Sequence, residues 1–201
     1  MVAMLAFGGT FAYFTATTSA KSATLTTGKV SLKANDTVKF EQETGTIVPG
    51  DTLVKGDIAY TNDSTVDTYV AIVFKYTSEN ATTEQLAELK KAIAVNTNTT
   101  NWEETATGSG IFVYKKAAGD YKLAANTADA LTFVSDGIKF SETYKENFKD
   151  GVSEATTSIE NLTFTISFQA YAIQAKNIVE DAPTTAAAVW TAMNAQLNVT
   201  V

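Results

Sequence analysis

The stretch that decides the fold is DTYVAIVFKYT, Asp67 to Thr77. Its β-branched and aromatic residues fill both sets of an alternating pattern. Val70, Ile72 and Phe74 share one parity, and Tyr69, Ala71 and Val73 share the other. A strand with one wet face alternates apolar with polar residues. One that is apolar on both parities belongs at the centre of a sheet. A second stretch, NLTFTISFQAYAIQ from Asn161 to Gln174, has the clearest period of two. Leu162, Phe164, Ile166, Phe168, Ala170 and Ala172 lie on one face, and Thr163, Thr165, Ser167 and Gln169 on the other.

Working outward, shorter strands surround these two. Ala23 to Lys33 reads as strand, with Thr37 to Phe40 a short partner. IVPGD at Ile47 to Asp51 is a turn, because Pro sets φ at its second position and Gly accepts positive φ at its third. Thr52 to Tyr60 resumes strand character, and Asn62-Asp63-Ser64 ends it. Ile111 to Lys116 and Asp120 to Leu123 suggest a hairpin around Ala118-Gly119, and Leu131 to Phe140 a strand broken at Asp136-Gly137. Two segments are helical. Thr82 to Val95 opens with Thr82 and Gln85 at capping-box spacing, with Leu86, Leu89 and Ile93 on one face. Thr184 to Leu197 is Ala-rich, with Val189, Trp190 and Met193 on one side. Asn96 to Gly110 reads as a polar loop, and Ser141 to Ser158 is charged and carries no clear period. The sum is about eight or nine strands and two helices. Helices are too few and too scattered for a parallel sheet. The expected fold is mostly β: two packed antiparallel sheets, a jelly roll or β-sandwich, with two peripheral helices.

Composition removes much chemistry. The 201 residues include no His, no Cys and no Arg, so all 15 basic residues are Lys. There is no imidazole base, thiol nucleophile, thiolate metal site or bidentate phosphate clamp. The net charge of −7 disfavours nucleic acid and anionic lipid. Asp51, Asp57, Asp63 and Asp67 could offer oxygens to calcium, but their spacing is not that of an EF-hand, and solvated turn aspartates are the better reading. Glu103-Glu104, adjacent in a loop, gives no defined carboxylate separation for glycoside chemistry. No catalytic, cofactor or metal residues are assigned.

The N-terminus reads MVAMLAF, then GGT, then Phe11-Ala12-Tyr13-Phe14. An apolar run, flexible glycines and small residues fit the tail of a secretory signal, and the run is too short to cross a bilayer. Cleavage is expected between Ala12 and Tyr13. That leaves residues 1–12 as signal remnant and 13–201 as a single domain.

GGTFAYFT at Gly8 to Thr15, followed by ATLTTGKVSL at Ala23 to Leu32, resembles the start of the TasA/CalY (camelysin-like) family, which carries a SipW-type signal. IVPGDTLVKGDIAYTNDSTVDTYVAIVF at Ile47 to Phe74 and FQAYAIQ at Phe168 to Gln174, with Trp190 beyond, resemble later motifs of that family. Asn80 to Ser158 has no counterpart. The resemblance implies a secreted jelly-roll subunit of biofilm-matrix or cell-surface fibres, located outside the cell of a Gram-positive bacterium. Its partners would be copies of itself, a minor fibre or anchor protein, and signal peptidase during export, with no stable membrane insertion of the mature form. In such fibres the N-terminal segment of one subunit completes the sheet of the next. Here that donor arm would be Tyr13, Phe14, Thr15, Ala16, Thr17, Thr18, Ser19, Ala20 and Lys21. It offers an aromatic anchor, β-prone threonines, few charges and no Pro. Camelysin-type members are also associated with metalloprotease activity, which a chain without His does not support. The alternative reading is a non-polymerising adhesin or a surface-layer or pilin-like module.

Overall fold

The computed structural model describes residues 30–32, 48, 50–127, 131–142, 158–159, 161–176, 178 and 182–200. It also describes the main chain of strand residues 15–18, 23–24, 33–34, 130, 148–149 and 152–153. In chain order the elements are β1 (Thr15–Thr18), β2 (Ala23–Thr24), β3 (Ser31–Ala34), β4 (Thr52–Val54), β5 (Ile58–Asn62), β6 (Thr68–Ser78), α1 (Thr83–Ala92), β7 (Ile93–Thr97), β8 (Trp102–Glu104), β9 (Ile111–Tyr114), β10 (Ala130–Phe140), β11 (Phe148–Lys149), β12 (Val152–Ser153), β13 (Phe164–Gln174) and α2 (Ala186–Leu197). One sheet runs β1-β13-β6-β9-β8. The other runs β2-β3-β5-β10-β4, with β7 also on β10, while β11 and β12 pair with each other. Every strand pair is antiparallel. The fold is the mostly-β antiparallel sandwich with two helices that the sequence patterns imply.

β6 lies at the centre of the first sheet, between β13 and β9. Its two apolar parities have separate destinations. Val70, Ile72 and Phe74 enter the core between the sheets, against Leu32, Tyr60 and Phe133 of the second sheet. Tyr69, Ala71 and Val73 lie on the opposite face, beneath Val189, Trp190 and Met193 of α2. The first sheet is thus the middle of three layers, and α2 explains why β6 has no polar parity. β13 divides in the same way. Phe164, Ile166, Phe168, Ala170 and Ala172 face the core, and Tyr171 and Ile173 lie under α2. Thr165 and Ser167, beyond the helix's reach, are exposed.

α1 opens with the expected capping box: the Gln85 N–H donates to Thr82 Oγ1 at 3.3 Å, and the Thr82 N–H donates to Gln85 Oε1 at 2.9 Å. It ends at Ala92 rather than Val95, because Ile93 and Val95 pair with Phe140 and Ile138 of β10. β-Branched residues lose little in a strand and some freedom in a helix, so the ladder takes them. Four further segments differ from expectation. The Asn96–Gly110 stretch is not all loop, since it holds the end of β7 and β8. β9 pairs with β8, which precedes it, while Leu123, expected in a hairpin with β9, instead bridges to Thr68. A tight turn does form there, closed by the Asp120 N–H donating to the Ala117 carbonyl at 3.0 Å. Ala23 to Lys33 is two short paired strands, β2 and β3, instead of one. The break expected at Asp136-Gly137 is a distortion inside a continuous β10, with φ of 60° and 76° at those residues and shifts of register beside them. Thr37 to Phe40 lies outside the described residues.

Candidate functional site

The N-terminal arm meets the first sheet at the free edge of β13. Thr15, Ala16, Thr17 and Thr18 pair with Ile173, Ala172, Tyr171 and Ala170 of the same chain. Only the main chain of these four arm residues is described. Ala12, Tyr13, Phe14, Ser19, Ala20 and Lys21 lie outside the described residues. The arm therefore forms an outermost strand, paired among the described residues only with β13, and it also lies near β3 and β2 of the opposite sheet.

The part of β13 beneath the arm is the best-buried part of that strand. Ala170 to Ile173 are all buried, the even residues in the inter-sheet core and the odd ones under α2. Further along, Phe168 stacks on Phe74 with centroids 4.8 Å apart and planes 6° from parallel. Phe133 then meets Phe168, Trp102 and Phe112 edge-on. This aromatic row ties both sheets together behind the edge. Trp102, placed by sequence in a polar loop, is 2% exposed, and its indole N–H donates to the Thr132 carbonyl at 2.9 Å. A lone Trp among polar residues was the available signal for β8.

The acidic residues have structural occupations. At the PGD turn the Val48 N–H donates to Asp51 Oδ2 at 2.8 Å, and the Asp51 N–H donates to the Val48 carbonyl at 3.1 Å. Gly50 sits at φ 99° and donates to the Phe140 carbonyl, which fastens the turn to the end of β10. Asp57 accepts from the Asp136 N–H at 2.9 Å, supporting a residue in the left-handed region. Asp67 accepts from the Ala125 N–H at 2.9 Å and meets Lys122 at 3.6 Å. Glu103 and Glu104, adjacent on a strand, have different partners. Glu103 accepts from the Tyr121 hydroxyl at 3.1 Å and pairs with Lys115 at 3.3 Å, while Glu104 accepts from the Gly110 N–H at 2.9 Å. Burial, and then the neighbouring Glu103, push the Tyr121 phenol above its ordinary range.

The camelysin metallo-endopeptidase family matches residues 1–168, and the chain belongs to that family. No curated protein and no solved structure matches it. A metallo-endopeptidase implies a bound metal, and the described residues do not fit one. The chain supplies no imidazole and no thiolate, and among the described residues no three Asp or Glu side chains gather. Asp51, Asp57 and Asp67 instead hold main-chain N–H groups. Among the described residues no helix is long and apolar enough to cross a membrane.

Proposed function

We propose that this camelysin-family chain is a secreted structural subunit of extracellular fibres, polymerising by donation of the arm Tyr13–Lys21 to a neighbouring copy, and that it is not itself a peptidase. The observation that carries this reading is the arm's position: an N-terminal strand at the end of a sheet, paired among the described residues with β13 alone. Identical copies present identical β13 edges. An arm that leaves its own β13 for a neighbour's can make the same pairs there, so exchange changes connectivity with little change in bonding. If each copy gives its arm to one neighbour and receives the arm of another, the contact repeats head to tail and need not close. Main-chain hydrogen bonds give such strand addition its affinity, and alternate side chains give its register.

Removal of residues 1–12 would free the arm, so export and assembly are coupled in this account. The test is negative-stain electron microscopy of the chain beginning at Tyr13 beside one beginning at Ser22. The first is expected to form filaments with a regular repeat. The second is expected to stay dispersed while keeping the β-rich circular dichroism of the first. Filaments from the shorter chain would rule out the arm as donor. Dispersed particles from both would favour an adhesin or surface-layer module.

A further inference from the structure

We infer that the outer edge of β7 at Val95–Thr97 is an interface for a second copy of this chain, which pairs through its own β7, antiparallel, about a two-fold axis at Asn96. The contact uses neither the arm nor β13, so it stands apart from the fibre reading above.

β7 ends the second sheet: among the described residues it pairs with β10 alone. Two bonds fix which way its main chain points. The Ser141 N–H donates to the Ala92 carbonyl at 2.8 Å, and the Asn98 N–H donates to the Phe133 carbonyl at 2.8 Å. Hydrogen-bonded positions alternate along an antiparallel strand. The even residues of β7 therefore bond to β10, and the odd ones turn their N–H and C=O groups outward. The Ile93 N–H, at the cap of α1, already donates to the Leu89 carbonyl. That leaves Val95 and Thr97 as the two residues of β7 that turn both groups toward the open edge.

β8, which ends the first sheet, carries Glu103 and Glu104, and charged side chains discourage strand addition. β7 has no such guard. From Ile93 to Trp102 the chain has no charge, no Pro and no Gly. A second copy is the fitting occupant because this edge is complementary to itself. With Asn96 laid opposite Asn96, Val95 of each copy faces Thr97 of the other, and each such pair exchanges two main-chain bonds. A register centred on Val95 would instead set Thr97 against Ile93, whose N–H is already engaged. The two Asn96 residues form a non-hydrogen-bonded pair, the closer kind, with their side chains on the exposed face. An amide both donates and accepts, so Asn96 can bond to its own copy, whereas a charged residue at that centre would meet its like. Such a contact presents the same patch on both sides and closes at two copies.

The test uses the full chain, in which residues 1–12 hold back arm exchange on the reading above, so that pairing through β7 is measured alone. Sedimentation over a concentration series should show monomers passing to dimers. The Val95 and Thr97 amides should exchange fast in dilute protein and slow by roughly tenfold where dimers dominate. Because the chain has no Cys, Asn96→Cys introduces a single thiol. Cα atoms of a non-hydrogen-bonded pair lie about 4.5 Å apart, within the span of a disulfide. Under oxidation this variant should form covalent dimers about tenfold faster than Thr191→Cys, whose site is exposed on α2. Asn96→Lys alters one exposed side chain, so it should melt like the parent yet sediment as a monomer. Monomers at every concentration would overturn the inference, and so would Asn96→Cys dimers forming no faster than those of Thr191→Cys. Val95 and Thr97 amides that are slow at every dilution would mean that the chain covers this edge itself, and would overturn it too. Dimers that survive Asn96→Lys would place the contact elsewhere. None of these outcomes bears on filaments from the chain beginning at Tyr13, and a failure of those filaments would leave the β7 pair standing.

Discussion

At Gly137 the main chain of β10 passes so close to β4 that a Cβ would overlap the Val54 carbonyl oxygen, and φ there is +76°. Gly119 has nearly the same φ, +74°, but its Cβ would meet nothing within 4 Å. The pair separates two costs that one residue type hides. Gly119→Ala should lose about 1 kcal/mol, for the left-handed backbone alone. Gly137→Ala should lose about 3 kcal/mol or more, because the β4–β10 contact must also open. Urea unfolding of both variants measures the difference, and equal losses would mean that the close approach is wrong. Thr68 tests the opposite sign. It is fully buried in the core-facing row of β6, and its hydroxyl has no hydrogen-bond partner among the described residues. Thr68→Val keeps the shape and removes the orphaned group, so it should stabilise by about 1 kcal/mol. A loss of stability instead would show that the hydroxyl holds an internal water. Neither prediction could be read from sequence, since a Gly or a Thr does not announce what lies across the sheet from it.

Elements were legible where the local pattern and the tertiary demand agree. β6, β13, the α1 cap and α2 were visible because burial on one or both faces writes its period directly into the side chains. β8 was hidden, as a three-residue strand is shorter than any pattern, and its one strong residue, Trp102, sits among Asn, Glu and Thr. The end of α1 was misplaced because Ile93 and Val95 continue an apolar helical face in sequence, and only the presence of β10 assigns them to a strand. α2 carries a testable consequence of the three-layer arrangement. It begins at Thr185, whose Oγ1 accepts from the Ala188 N–H at 3.2 Å, and Trp190 meets Tyr171 edge-on at 6.3 Å. Trp190→Ala should cost about 3 kcal/mol, since it uncovers the outer parity of β6 and β13. The same variant should bind a dye for exposed apolar surface more strongly than the parent does. A loss below about 1 kcal/mol would mean that α2 is not the lid of that layer.

For the molecule as a whole, the absence of His leaves tyrosine as the main buried titratable group. Burial raises the phenol pKa of both Tyr60 and Tyr76 above the ordinary range. In the unfolded chain these phenols ionise near pH 10, as tyrosines do in water. Their folded values are raised, so the stability they contribute is complete below about pH 10 and is lost as pH climbs toward the folded values. The melting temperature should therefore fall as pH rises above about 10, and a melting temperature unchanged well above that pH would contradict the burial of these rings. The site was less legible than the fold. Family motifs and a β-prone segment with few charges pointed to the arm, but its position on the β13 edge depends on which strand ends the sheet, and no local pattern records that. The most direct test of arm exchange uses the chain's lack of Cys. Ala16 and Ala172 are partners across β1 and β13, and paired strand residues lie within the Cα separation that a disulfide spans. One copy carrying Ala16→Cys is mixed with another carrying Ala172→Cys, allowed to assemble, and oxidised. Covalent dimers joining the two variants are the predicted result. If the mixture gives none, while a chain carrying both substitutions seals its own arm to its own β13 under the same conditions, the arm stays at home and the account is contradicted.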